Sequence, residues 1–454
     1  MKLHSITLKN YRLFPEFECS LHPDLTVFVA DNGGGKTSIL DAVRVVFDTY
    51  LGAFPTGRGK GIKLTDVRQV KAKGEFFQME PAFPVEVHAT GQLFESAEPI
   101  TWARTLNTAK SATTVKDARA LAAFGTQLLR TESGGLGTAN WPLLAYYGTG
   151  RLWHQKKLTS GKVFAAGFHT RSAAYIDCME PASSYKAFVD WFGYAYRSIT
   201  QAKILFMEAN PLATPQEVNA QESGYSPLVA GIQEAVDIML KPSGWGQLWY
   251  SETEQDITAV HAELGRLAVG QLSDGIRNSI ALVADIAYRA VQLNPHLGAR
   301  AVKETTGVVL IDEVDMHLHP SWQQVVLANL REAFPRIQFI VTTHSPQVLS
   351  TVRSENIRIV KLTDSGYVAA IPDFSPLAHE SGDALAKVMG THKQPPLPIL
   401  EIVREFEQMV RANMENSVGA KGLRQQLDDA GYQIHESDLA TWRFLASRRL
   451  AREA

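Results

Sequence analysis

Thr26-Val27-Phe28-Val29-Ala30-Asp31-Asn32-Gly33-Gly34-Gly35-Lys36-Thr37-Ser38 decides the reading of this chain. It opens on a short apolar run, turns through three glycines, and passes into Ser38–Phe47, where apolar residues at 39, 40, 43, 46 and 47 have helical spacing. Strand, glycine turn and helix in that order make a phosphate-binding loop of the form G-x-x-x-x-G-K-[ST]. Asn32, Gly33, Gly34, Gly35, Lys36, Thr37 and Ser38 are the candidate nucleotide-binding residues. Backbone amides at a helix N-terminus face phosphate oxygens, Lys36 reaches the β- and γ-phosphates, and the Thr37 hydroxyl holds Mg²⁺. Ala30 stands where the template has its first glycine. That is tolerable if residue 30 keeps a negative φ, or if Gly33 to Gly35 do the bending.

A loop of this kind needs an acidic strand end opposite it. Gly307-Val308-Val309-Leu310-Ile311-Asp312-Glu313 supplies one. A buried strand delivers Asp312 to its carboxyl end as a metal-orienting carboxylate. Glu313, pointing the other way, is the candidate base for the water that attacks the γ-phosphate. Upstream, Leu272-Ser273-Asp274-Gly275 precedes an apolar helix over Ser279–Val291, a second anion-binding N-terminus built on Ser273 and Gly275.

Further out, Leu3 to Leu21 reads as strands, and Val85–Gly91 with Ile100–Leu106 as a strand pair. Lys110–Arg130 reads as a helix and Leu143–Tyr147 as another apolar run. From about 170 to 240 the pattern is helical and aromatic, with Phe188, Trp191, Phe192, Tyr194 and Tyr196 close together; core packing is the main expectation for them and base stacking the lesser one. After Gly307 strands and helices alternate again, the second half of an α/β sheet. Gln394-Pro395-Pro396-Leu397-Pro398 marks a hinge before a charged helical tail. No sustained heptad pattern runs between Thr37 and Leu272, so a long coiled-coil arm is not expected.

The whole chain of 454 residues carries 45 Lys and Arg against 47 Asp and Glu, a net charge of −2. It therefore offers no global attraction to nucleic acid, which leaves a local basic groove open. Cys19 and Cys178 fit no metal spacing and are expected to be reduced thiols. No apolar run is long enough to span a bilayer. The expectation is a cytoplasmic protein with no membrane segment. His317 and His319 with Asp312 and Asp315 also admit a transition-metal site, although an H-x-H-P pair more simply starts the helix near Ser321.

The phosphate loop, Leu-Ser-Asp-Gly, the Asp-Glu strand end and Thr343-His344-Ser345-Pro346 together resemble the ABC-type ATPases. The similarity is to the branch that holds RecF, the SMC heads and the overcoming-lysogenization-defect proteins. Leu8-Lys9-Asn10-Tyr11-Arg12-Leu13-Phe14 resembles the opening strand of that branch, and Asp312 to Pro320 its acidic and His-Leu-His-Pro segment. The resemblance implies an α/β ABC-ATPase head, a mixed sheet with a phosphate-loop helix, an inserted helical lobe and a helical C-terminal region. The boundaries expected are 1–165 for the N-terminal lobe, 166–264 for the helical insertion, 265–376 for the C-terminal lobe and 377–454 for the C-terminal helices. It implies ATP and Mg²⁺ as cofactors, with Thr37 and Asp312 on the metal and Glu313 and His344 as catalytic residues, His344 sensing the γ-phosphate. Ser273 and Gly275 would contact ATP held by a second subunit, so the resemblance implies a head-to-head dimer or larger homo-oligomer with composite sites. Asp315 would lie at the dimer interface, Arg12 would approach the phosphates, and Gln69 or Gln78 would report on the metal.

Leu144 to Arg151, Tyr175–Phe192 with Ser183-Ser184, and Leu385–Gly390 look like the ATPase of Septu-type anti-phage defence and of ATPases that accompany some retrons. Nuclease members of the wider branch carry a Toprim domain with an Asp-x-Asp. No Asp-x-Asp follows His344 here, and Asp428-Asp429 are adjacent. The expectation is an ATPase that controls a separate HNH-type nuclease, with DNA as a further possible partner. The alternative is a DNA-repair ATPase of RecF or SMC type that works without such a nuclease.

Overall fold

The computed structural model describes residues 1–55, 57, 59–72, 79–94, 97–133, 139–150, 170–181, 185–221, 223–392 and 394–453. Arg151, Ser183, Ser184 and Gln78 lie outside the described residues. The chain divides into two compact units, Met1–Met389 and Gly390–Ala454.

The larger unit is built on two sheets with a helix between them. In the first, β1 (Lys2–Tyr11) pairs antiparallel with β2 (Phe14–Ser20) and with β4 (Val85–Gln92), which pairs with β5 (Ile100–Leu106), giving the order β2-β1-β4-β5. β4 alternates buried and half-buried residues along its length, the pattern of a strand with one covered face. The second sheet contains β3 (Leu25–Val29), β6 (Leu143–Tyr147), β10 (Gly307–Ile311), β11 (Ile337–Thr342), β12 (Ile357–Thr363) and β13 (Gly366–Ala370). Its order is β13-β12-β3-β11-β10-β6, parallel except for the β12–β13 pair. Every residue of β3, β6, β10 and β11 is buried, which is why these segments read as unbroken apolar runs rather than alternating ones.

Helix α1 (Lys36–Leu51) touches β4 and β5 of one sheet and β11 of the other, and all of its residues except Thr37 and Asp41 are buried. A helix covered all round must satisfy any polar residue it carries. Asp48 accepts the Gly61 N–H at 2.8 Å, Thr49 accepts Arg104 Nη1 at 2.8 Å, and Asp41 pairs with Arg12 at 2.7 Å. The two sheets are pinned at their start by Gln338. Its amide accepts the Leu3 N–H and donates to the Leu3 carbonyl, both at 2.7 Å.

Helix α2 (Arg119–Ser133) packs on α1. Helix α3 (Tyr185–Ala209) buries Phe188, Trp191 and Phe192 in its first half, with Trp191 5.4 Å from the Tyr288 ring, so these aromatics are core. Its second half carries exposed Ile204, Leu205 and Met207. Helix α4 (Ser226–Leu240) lies against α5 (Asp274–Leu293). The stretch 166–264, expected to be helical, also contains strands. β7 (Trp245–Ser251) pairs with β8 (Asp256–His261), which pairs with β9 (Gly265–Ala268). Gln247 takes a positive φ of 50° and the β7–β8 register shifts, so the alternation that announces a strand is interrupted there. Helix α6 (Val326–Ala333) follows β10 and precedes β11 in sequence, and packs on α4.

The smaller unit holds α7 (Ile399–Arg411), α8 (Val418–Asp429) and α9 (Glu436–Glu453) around a core of their own made by Val403, Phe406, Val410, Ala420, Leu427 and Trp442. Among the described residues, no helix is long and apolar enough to cross a membrane. Cys19 and Cys178 are both free and buried.

Candidate functional site: a phosphate loop facing an acidic strand end

In a parallel sheet the carboxyl ends of neighbouring strands and the loops that leave them share one edge. β3, β11 and β10 are adjacent, so the loop after β3, the Thr343-His344 segment after β11 and the Asp312-Glu313 end of β10 meet there. They line one cleft of about 240 Å³, whose walls are Leu13, Asn32 to Ser38, Asp312, Glu313 and His344.

The loop bends at Gly33 and Gly35, with φ of 78° and 91°, and Gly35 caps α1. Ala30 takes no positive φ, so the missing template glycine costs nothing in backbone strain. It does place a constraint elsewhere. A Cβ on Gly34 would come within 2.7 Å of the Ala30 Cβ, and one on Gly35 within 2.5 Å of the Phe14 ring. Lys36 Nζ donates to the Ala30 carbonyl at 2.8 Å and to that of Asp31 at 3.2 Å, folding its ammonium back over the loop. Burial pushes this ammonium below its ordinary pKa, and Asp312 and Glu313 oppose that shift.

The Thr37 hydroxyl donates to Asp312 Oδ2 at 2.8 Å, and Thr342 donates to Asp312 Oδ1 at 2.6 Å. Asp312 is 2% exposed and has both oxygens held. Thr342 also accepts the Glu313 N–H at 2.8 Å, and Glu313 takes a φ of 49°, turning the chain sharply as β10 ends. A non-glycine residue in that region is held there by its surroundings. Asp315 accepts the Thr343 hydroxyl at 2.5 Å, which ties the two strand ends together. Thr37 and Asp312 are hard oxygen donors brought within contact of each other, a donor pair that suits Mg²⁺. Among the described residues, no group of three or more His, Cys, Asp or Glu is placed to hold a metal ion, so His317 and His319 do not join Asp312 and Asp315 in a cluster.

Ser273 and Gly275 do not line the cleft. Ser273 is the exposed N-cap of α5, its side chain making no capping bond. Gly275 lies so close to the His317 carbonyl that a Cβ would sit 2.7 Å from it. Arg12, with φ 51°, has its guanidinium on Asp66 and Asp41 and a long contact of 3.5 Å to Ser38 Oγ in the first turn of α1. Gln69 is exposed, its amide 3.5 Å from the Val67 carbonyl.

Two contributors escaped the sequence reading. Thr342 bridges Asp312 and Glu313; its signal was its place at the end of an apolar run, directly before Thr343-His344. Tyr147 accepts the Asp312 N–H on its carbonyl at 2.8 Å. Only strand pairing reveals that contact.

Two family descriptions match the chain. Residues 5–190 match the AAA domain, and residues 250–350 match the AAA domain described as putative AbiEii toxin, Type IV TA system. The chain is 27% identical to the Retron Vc95 probable ATPase of Vibrio cholerae serotype O1 biovar El Tor, over 93% of this chain and 86% of that one. It is 27% identical to the Retron Ec83 probable ATPase of Escherichia coli, over 80% of this chain and 72% of that one. A shorter stretch, 16% of this chain and 10% of the relative, is 45% identical to the Septu protein PtuA of Bacillus mycoides.

Proposed function

We propose that the chain is an ATPase of the kind it matches among the retron, Septu and RecF proteins, and that it hydrolyses ATP at the cleft beside Thr37 and Asp312. The observation that carries this reading is the direct Thr37–Asp312 hydrogen bond, which joins the phosphate loop to the acidic strand end from opposite halves of the sequence. The amides at Gly33 to Gly35 and the N-terminus of α1 receive the phosphate oxygens. Lys36 exchanges its two carbonyl partners for the β- and γ-phosphates. Thr37 and Asp312 would hold Mg²⁺, which would supply positive charge beside the phosphates. Glu313, turned into the cleft by its backbone, takes the proton of the attacking water. His344, on the wall nearest the strand ends, donates to the γ-phosphate.

Ser273 and Gly275 stand outside the cleft of their own chain, which supports their completing the site of a second copy; the working unit is then at least a dimer. The chain acts in anti-phage defence by regulating a separate nuclease of HNH type, in the cytoplasm. Asp428 and Asp429 are adjacent, and each is engaged by its own helix neighbour, Arg424 and Gln425. The test is biochemical. The purified chain should hydrolyse ATP with Mg²⁺ yet leave DNA intact with Mg²⁺ or Mn²⁺, and cutting should appear only when the second polypeptide is added. Metal-dependent cutting by the chain alone, abolished by a substitution in it outside residues 30–37, would sink the partner.

A further inference from the structure

Tyr147 connects two parts of the molecule that the proposed reaction must coordinate. It is the last residue of β6, paired in parallel with Ile311, and its carbonyl holds the Asp312 N–H. Adjacent strand residues face opposite sides of a sheet. Tyr146 goes towards α1, where burial and then the nearby Asp41 and Asp312 hold its phenol well above its ordinary pKa. Tyr147 goes towards α5, where its hydroxyl donates to Asp285 Oδ2 at 2.7 Å.

Arg289 Nε donates to that same oxygen at 2.8 Å, and its Nη1 reaches the Ile176 carbonyl at 3.2 Å. Tyr147 and Asp285 are each 1% exposed and Arg289 is 4% exposed. Asp285 Oδ1 has no hydrogen-bond partner among the described residues. A buried ion pair with an idle oxygen is a poor way to gain stability, and apolar side chains of similar volume would fasten the helix as well. What the phenol, carboxylate and guanidinium supply is direction, since hydrogen bonds fix both the rotation of α5 and its position along the axis. The same helix carries Ser273 at its N-cap, roughly 18 Å from Asp285 at ~1.5 Å per residue.

We infer that Tyr147 and Asp285 are positioning residues that brace α5 against the strand end bearing Asp312 and Glu313. When the Ser273 end of α5 engages nucleotide held by a second copy, the brace sets Asp312 and Glu313 for hydrolysis. The inference rests on the reading above of a shared ATP site.

The test is a double-mutant cycle on Tyr147→Phe, which keeps the ring and removes only the hydroxyl, and Ser273→Arg. ATP affinity of Tyr147→Phe should stay within about twofold of the parent, while kcat falls roughly ten- to a hundredfold. Ser273→Arg should then add little further loss in the Tyr147→Phe background, because both changes break one linkage. Independent effects that multiply would overturn the brace, as would a kcat for Tyr147→Phe equal to the parent's. Asp285→Asn, which keeps an acceptor for the phenol, should retain more activity than Asp285→Leu, and carries the same cycle if Tyr147→Phe does not fold. A parent chain with no hydrolysis dependent on Glu313 would overturn the reading of the site and the brace with it. A parent that hydrolyses ATP alongside an unimpaired Tyr147→Phe overturns the brace alone.

Discussion

Thr37 and Asp312, 275 positions apart in sequence, share a hydrogen bond of 2.8 Å. One is at the first turn of α1 and the other at the end of β10, so the bond exists only when the parallel sheet is in register. The nucleotide site and the sheet are thus one cooperative object.

Two substitutions separate binding from hydrolysis. Lys36→Ala removes a cation whose charged hydrogen bonds are each worth about 1.5–3 kcal/mol, so ATP should bind roughly a hundredfold more weakly. Glu313→Gln should keep binding and slow turnover about 10²- to 10⁴-fold. Equilibrium binding and steady-state hydrolysis on both variants check this; a Glu313→Gln chain that turns over normally assigns the base elsewhere.

Shared sites predict complementation. Neither a Lys36→Ala chain nor a Ser273→Arg chain should hydrolyse ATP well by itself. A mixture that has exchanged subunits contains hybrid sites with both Lys36 and Ser273 intact, and part of the activity should return. Mixing followed by an activity assay reads this directly, with no recovery counting against sites shared between copies.

The loop can be tested by its own sterics. Gly34→Ala puts a methyl 2.7 Å from the Ala30 Cβ. Overpacking of this kind costs about 1–3 kcal/mol. Ala30→Gly in the same chain removes the tightest contact and should recover part of the loss. Thermal melts of the parent, the Gly34→Ala chain and the double variant make the comparison.

Asp48 gives a pH signature. Burial raises its pKa from 3.8 to about 6, opposed by Arg44, the Gly61 N–H and Arg104. A carboxyl with a raised folded pKa holds its proton in the folded state between the two values. Its contribution therefore favours folding at low pH and weakens as pH rises from about 4 through about 6. Asp48→Asn imitates the protonated form. It should gain on the parent by up to about 3 kcal/mol between pH 4 and pH 7.5 and run level above that. Urea midpoints for both chains across that range provide the measurement.

What the sequence disclosed was whatever local pattern encodes. The five-residue runs of β3 and β10, the glycine loop and the helical spacing of α1 were legible because each is contiguous, and with them came Lys36, Thr37, Asp312 and Glu313. The polar positions inside α1 were not. Asp48 and Arg44 look solvated in sequence, but both are buried in a helix that also packs against the antiparallel sheet, whose β5 brings Arg104 to Thr49. Nor could spacing show that Arg12 is held by Asp66 and Asp41, or that Tyr147 supports Asp312, since those contacts depend on strand order. β7 was hidden for a local reason, the irregularity at Gln247.

The strand order also bears on how the chain is made. β3 is wholly buried, and its neighbours in the sheet are β11 and β12, which begin at Ile337 and Ile357. A ribosome adding about 5–20 residues per second delivers those partners some fifteen seconds to a minute after β3 has emerged. During synthesis Leu25-Thr26-Val27-Phe28-Val29 is an apolar strand with both edges bare, and the phosphate loop behind it faces no acidic residue. The nascent protein therefore carries its nucleotide-binding sequence early and its nucleotide site late, and through that interval β3 is the segment that chaperones have most reason to cover.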